Sequence, residues 1–524
     1  MVALGTRSPE LSAGGRDRFT RLLRAEWTKL RTVRGWVIAL LIAAALPTVF
    51  ALLNNSSCGG DGCVASPTGP GGGAVIDQFS FVHRTLAGDG SITVRLASLT
   101  GLISGGNGSG SGAAGESPTA GWTPELEPWS KAGIIIKSST APGSAYAAMM
   151  VTGGYGVRMQ WNYTADRAGL GGTVTSASPR WLRLVRHGDT ITGYDSADGA
   201  SWTKVATVTL AGLPASAQAG LFATSPGHGI ALSQSVIGQS GAFVPTQDTG
   251  VFDHLSLGGT WPGGAWTGVD VGDTNGAPGL DGFRQADGSS IVSGSGDIAP
   301  FVSGQIAAGE RIEDAISVGS FAAAIAASVL GALFITAEYR RGLIRLTLAA
   351  SPRRGRVLAA KAIVIGAVTF AAAIVGIGIA IPIGLAKLRG GGSPILPVTA
   401  LTEVRVIAGA AALIALAAIL ALAVGVVLRR GALAVALVIA GIVLPYLLAI
   451  TALPVGAADW VLRITPAAAI AIEQSLPAYQ QVTAAYTPMN GYYPLAPWAG
   501  FGVLCAWTVV FLALAAFLLH RRDA

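Results

Sequence analysis

Six runs of about twenty apolar residues, the first set apart from the other five by a long polar stretch, constrain this chain more than any other feature. They cover residues 35–53, 315–335, 357–385, 406–428, 432–453 and 497–519, and none carries Asp, Glu, Lys or Arg in its middle. A helix needs about 20 apolar residues to cross the hydrocarbon core of a bilayer. Only 12% of the chain is charged, against about 25% in soluble domains. The expected fold is therefore a membrane all-α protein with about six transmembrane helices. Between helices one and two stands an all-β sandwich, expected outside the membrane.

Short-loop Arg and Lys orient such a bundle, because they stay in the cytoplasm. The tail at 1–34 holds Arg16, Arg18, Arg21, Arg24, Lys29, Arg31 and Arg34; the loop after helix two holds Arg340, Arg341, Arg345, Arg353, Arg354, Arg356 and Lys361. Arg429 and Arg430 separate helices four and five, and Arg521 and Arg522 follow helix six. An even number of helices places all four groups on one side, so both termini are expected in the cytoplasm of a cell-membrane protein. Lys387, Arg389 and Arg405 fall on the opposite side and run against the pattern. The first run follows a basic tail and exceeds the ~7–15 apolar residues of a signal peptide, so it reads as a retained anchor. In the tail, Phe19, Leu22, Leu23, Trp27 and Leu30 recur at helical spacing among basic residues. That pattern predicts an amphipathic helix at the lipid surface, or else a solvated one that only helps set topology.

The net charge of +7 does not imply nucleic acid, since the basic residues flank membrane segments and have a topological explanation. Cys505 lies in the last apolar run, whereas Cys58 and Cys63 bracket the sequence Cys-Gly-Gly-Asp-Gly-Cys just past the first. Outside the cell that spacing suits a small-loop disulfide, and no His or third Cys stands near to complete a metal site.

Residues 54–74 read as a linker, 75–258 as the sandwich and 259–314 as its completion and return linker. Alternating runs such as Trp181-Leu182-Arg183-Leu184-Val185-Arg186 are half-buried strands, and Gly88-Asp89-Gly90 and Ala197-Asp198-Gly199 are turns between them. The runs Trp129 to Lys137, Trp181 to Asp189 and Tyr194 to Trp202 together resemble the concanavalin-like lectin/glucanase sandwich. That resemblance implies glycan binding or hydrolysis. Hydrolysis is disfavoured, because the acids sit in turns and no Glu-x-Asp-x-x-Glu strand occurs. Trp122, Trp129, Trp161, Trp181 and Trp202 are the candidates for stacking on sugar rings, although a core role is favoured for any one of them, and a structural or protein-contact role of the domain stands level with glycan binding.

No phosphate-binding Gly-x-x-x-x-Gly-Lys-Ser/Thr loop, His-Glu-x-x-His or Cys-x-x-Cys occurs. The chain is thus expected to have no ATPase activity, no cofactor and no metal. The helices hold essentially no acid to carry a coupling ion, which leaves a partner as the source of energy. The loop from Thr336 to Lys361, with Arg24-Ala25-Glu26-Trp27-Thr28-Lys29-Leu30-Arg31 before helix one, resembles type-2 ABC exporter permeases of actinobacteria. The resemblance implies a homodimer, or a pair with a sister permease, driven by a separate ABC ATPase subunit. It also implies a coupling loop at 336–356 whose Glu338, Tyr339, Arg340, Arg341, Arg345, Arg353 and Arg354 meet that ATPase. The inserted domain departs from the family and suggests contact with cell-wall glycan. The alternative is a membrane-anchored binding or sensor module without transport.

Overall fold

The computed structural model describes residues 13–53, 66–105, 121–235, 238–272, 281–302, 310–350, 353–484 and 486–521. Cys58 and Cys63 lie outside the described residues. Nine helices are present among them: α1 Ala13–Thr32, α2 Arg34–Leu53, α3 Ser317–Arg340, α4 Leu343–Ala350, α5 Arg354–Gly390, α6 Ala400–Leu428, α7 Gly431–Thr451, α8 Val455–Ile464 and α9 Pro497–Arg521. Six of these, α2, α3, α5, α6, α7 and α9, are long and apolar enough to cross a membrane.

Local chemistry sets the breaks. Gly342 takes a positive φ of 68° and separates α3 from α4, a conformation that costs glycine little. Thr399 caps α6, its hydroxyl oxygen accepting from the Thr402 backbone N–H, and α6 ends where Arg429 turns left-handed. The helix α6 is the centre of the bundle: 72% of its apolar window is buried, against 17% for α2 and 22% for α7 and α9. Ile38, Leu41 and Ile42 on α2 and Val509 and Val510 on α9 stay exposed, the apolar surface that acyl chains cover. Small residues allow close crossings. A side chain at Gly331 would meet the Ala418 carbonyl oxygen at 2.0 Å, and one at Gly376 would meet that of Ala44 at 2.1 Å.

The segment from Val75 to Pro300 is a large antiparallel β-sandwich. Its longest strand, Phe79–Ser104, pairs with Ser216–Thr224 near its start, with Arg180–His187 at its middle and with Thr246–Thr260 along much of its length. One strand thereby belongs to both layers. Between them Val82, Ile92, Val94, Ile134, Ile136, Met149, Leu182, Leu184, Leu221 and Phe252 form the main core. Because side chains alternate along a strand, Ile135, Met150 and Phe222 point the other way, into a second core with Phe79, Phe81, Tyr146 and Ile298.

That second core is roofed by the domain's own ends. Val75–Asp77 pairs with Ile298–Pro300, so the incoming and outgoing strands form one ribbon. Two lysines at the ends of the Lys131–Lys137 strand hold it. Lys137 Nζ lies 2.7 Å from Asp77 Oδ2, with both side chains fully buried, and Lys131 pairs with Asp297. Tyr163 donates its hydroxyl to the same Asp77 oxygen at 2.8 Å. Below the ribbon, Ala74 and Phe301 pack on Leu396 and Leu476, and Ala299 and Val302 on Val482 and Tyr492. The sandwich thus rests on the loops that join α5 to α6 and α8 to α9.

Candidate functional site

The opposite end of the bundle gathers the arginine-rich segments. There a cluster of four charges, three of them buried, ties three helices together. Lys361, on the second turn of α5, is fully buried and donates to both oxygens of Glu26 on α1 at 2.8 Å and to Glu338 on α3 at 2.5 Å. Lys29, one turn beyond Glu26, pairs with the same Glu338. Two carboxylates and two ammonium groups balance, which is what allows charges to remain in a desolvated place. Burial and the neighbouring Lys361 lower the Lys29 ammonium to about 8. The Phe334 ring lies 5.2 Å from the Lys361 ammonium and adds a cation–π contact.

Glu338, expected at the ATPase contact, is only 2% exposed, and its carboxylate faces Lys361 and Lys29 inside the bundle. Tyr339 is half-buried with the Arg429 guanidinium 5.2 Å over its ring. Arg354 donates to the Leu519 carbonyl at the end of α9. Arg340, Arg341, Arg345 and Arg353 are exposed. They stand around α4, a short helix whose Ile344 is buried while Leu343 and Leu346 project outward. The free face of the loop is therefore an apolar–arginine surface.

The helix α1 packs against α5 through its buried Glu26 and Leu30, and Trp27 is left 46% exposed. Its polar contact to the bundle, absent from a simple amphipathic reading, comes from Glu26 and Lys29.

Beneath the sandwich lies a second polar cluster that the expectation of an acid-free bundle missed. Short 3-10 turns, not the long helices, carry it: Ile312–Ala315 and Pro466–Glu473. Glu473 is buried and pushed up to about 7 by desolvation, with Glu313 nearby adding to the rise and the Ser320 hydroxyl opposing it. Glu313 is raised by burial, with Arg311 opposing, and accepts from the Ser475 backbone N–H at 3.1 Å. Arg405, against the charge pattern in the sequence, donates to the carbonyl of Gln474 at 2.6 Å. Its guanidinium thereby meets carbonyls at the C-terminal end of the Pro466–Glu473 turn.

The five candidate tryptophans do not converge. Trp122 is half-buried at a strand end, and Trp161 is half-buried against the main core. Trp181 and Trp202 share one sandwich face, with Arg95 6.0 Å over the first and Arg183 3.8 Å over the second. Trp129, on the ribbon side, is only 6% exposed and stacks on Tyr155 at 4.2 Å between ring centres. Among the described residues no group of three or more His, Cys, Asp or Glu has the arrangement of a metal site.

Comparison with known proteins gives an uneven picture. No curated protein matches the chain. Two solved structures of scytalido-glutamic peptidase, one with a transition state analog inhibitor and one with a peptide-based analog, are each 11% identical over 42% of this chain and 98% of their own, with TM-scores of 0.26 and 0.23. A functionally unknown protein from Saccharomyces cerevisiae is 18% identical over 35% of this chain and 75% of its own, with a TM-score of 0.17. Likenesses this slight say nothing about activity. The membrane part is different: the segment that brings together α3 to α9, with the exposed hook of α4 at its arginine-rich end, lies within residues 267–524, which match the family model described as ABC-2 family transporter protein.

Proposed function

We propose that this chain is the membrane-spanning permease subunit of an ATP-driven exporter. A separate ABC ATPase binds at the arginine-rich end, and a second permease, either a copy of this chain or a sister subunit, completes the transporter. The observation that carries the reading is the hook formed by α4. It is short, anchored by Ile344, and presents Leu343, Leu346 and exposed arginines away from the bundle. The match of residues 267–524 to a transporter family supports it.

In this reading the arginine-rich end and both termini face the cytoplasm, following the positive-inside rule, and the concanavalin-like sandwich stands outside, contacting cell-wall glycan. Cys58 and Cys63 close a small disulfide loop there. ATP hydrolysis at the cytoplasmic end drives export of an amphipathic cargo between the paired bundles.

The test is to co-express the chain with a candidate ABC ATPase subunit and measure co-purification and ATPase stimulation in nanodiscs. Charge reversal of Arg341 and Arg345 to Glu should reduce both. Equal capture of the ATPase by wild type and variant would defeat the docking assignment. Labelling by an impermeant thiol reagent of a cysteine placed at exposed Ser201, in intact cells, tests which side the sandwich occupies.

A further inference from the structure

The face of the sandwich sheet formed by Lys131–Lys137, Tyr146–Thr152 and Gly156–Trp161 is blocked for ligands over most of its area, because the ribbon of Val75–Asp77 and Ile298–Pro300 lies on it. At the edge, past the reach of the ribbon, the same face changes character. It carries Arg158 and Asp166, whose side chains form an ion pair, and the stacked rings of Trp129 and Tyr155. This edge is one wall of a cleft of about 480 Å³, within the size range of ligand pockets, roughly 300–1,000 Å³. The other wall is not sandwich at all. It comes from Tyr479 and Gln481, on the loop that leaves the buried turn Pro466–Glu473 for α9. A direct bond crosses between the two parts, Gln481 Nε2 donating to the Thr164 carbonyl at 3.1 Å.

The charges decide the class of ligand. Arg158 and Asp166 are the charged side chains that line the cleft, and they neutralise each other. A phosphate or a carboxylate would find no uncompensated cation there, and a cation no free carboxylate. What remains is a set of planar groups able to donate and accept in pairs: a guanidinium, a carboxylate that also accepts from Gln160 at 2.9 Å, and the amide of Gln481. Beside them stands Tyr155, 50% exposed and backed by Trp129. Planar polar groups flanking an exposed aromatic face suit a ring that has apolar C–H faces and hydroxyls around its edge.

We infer that this cleft binds a neutral saccharide, held between the sandwich and the bundle. The inference rests on the reading above that the sandwich is external and contacts glycan, and it adds the site. A ligand seated there touches both parts, and so favours whichever relative position of sandwich and bundle closes the cleft.

The experiment uses the full chain in nanodiscs, titrated with chitotetraose and cellotetraose as neutral probes and with a heparin tetrasaccharide and inorganic phosphate as anionic ones. Binding is followed by tryptophan fluorescence and by saturation-transfer NMR. A neutral probe should bind saturably, and Tyr155→Ala, on an exposed side chain that the fold does not need, should weaken it by about tenfold. Gln481→Ala, on the bundle wall, should weaken it by a smaller factor, and Trp202→Ala, on another face, should leave it unchanged. Binding that survives Tyr155→Ala and Gln481→Ala but is lost in Trp202→Ala would keep glycan contact and overturn this site. Preference for heparin or phosphate would overturn the neutral class, and silence of the wild type toward both neutral probes would overturn the site and the glycan reading together.

Discussion

Lys361 Nζ lies 2.8 Å from each carboxylate oxygen of Glu26, a residue 335 positions earlier in the chain. With Glu338 and Lys29 the pair ties the ends of α1, α3 and α5 together, at the end of α3 that leads into α4.

Removing the central ammonium should therefore be costly. Lys361→Met strands the buried Glu26 carboxylate and leaves Glu338 to Lys29 alone, and breaking a buried pair typically costs about 3–5 kcal/mol. Thermal unfolding in detergent should show the loss. The triple variant that adds Glu26→Gln and Glu338→Gln should recover much of it, and an equally unstable triple variant would argue that Lys361 matters for packing instead.

If the proposed docking holds, docking and stability should separate along the loop from Thr336 to Lys361. Leu346 is 69% exposed, so Leu346→Asp should leave the unfolding midpoint within about 0.5 kcal/mol of wild type, as surface changes usually do, yet lower ATPase capture. Glu338→Gln should do the reverse, because its carboxylate faces Lys361 and Lys29. Parallel melting curves and pull-downs distinguish the two patterns.

Stability should also fall as the pH rises from about 4.5 to about 7 through Glu473. Its carboxyl is raised from 4.5 to about 7 by burial, so over that window the folded state holds a proton that the unfolded chain has released. Each increment of pH then favours unfolding until the folded group itself ionises. The groups facing it are the Ser320 hydroxyl, Glu313, Tyr446 and Tyr493. Glu473→Gln should flatten the unfolding midpoint across this range and raise it at pH 8; a variant profile that still declines would assign the dependence to Glu313.

Close helix crossings supply a fourth expectation. Gly331→Val places carbon 2.0 Å from the Ala418 carbonyl, which forces α3 off α6. Overpacking of this kind costs about 1–3 kcal/mol or more, and a lowered midpoint with reduced yield from membranes should report it. Gly378, with open space around its Cβ position, is the matched control.

The long helices were legible because each apolar run is about as long as a bilayer is thick, a signal that survives without any knowledge of neighbours. Strand alternation was equally readable at Leu182 and Leu184, which point into the core. Pairings between distant residues were not. Lys361 reads as one more basic residue in a loop until Glu26 is brought to it, and Lys131 and Lys137 look like surface charges flanking an apolar strand. Glu313 and Glu473 escaped notice for another reason: they sit in short turns outside every apolar run, and only packing draws those turns into the bundle. Within the loop from Thr336 to Lys361 the residue types were readable, but their burial depends on which side of α3 faces α5, so Glu338 and the exposed arginines could not be told apart.

Val75 lies opposite Pro300, at the spacing of neighbouring strands, roughly 5 Å. A domain that begins and ends at one point can be spliced into a tight hairpin between two helices without prising them apart. Its two ends leave the sandwich side by side, so a single neck joins it to α2 on one side and α3 on the other.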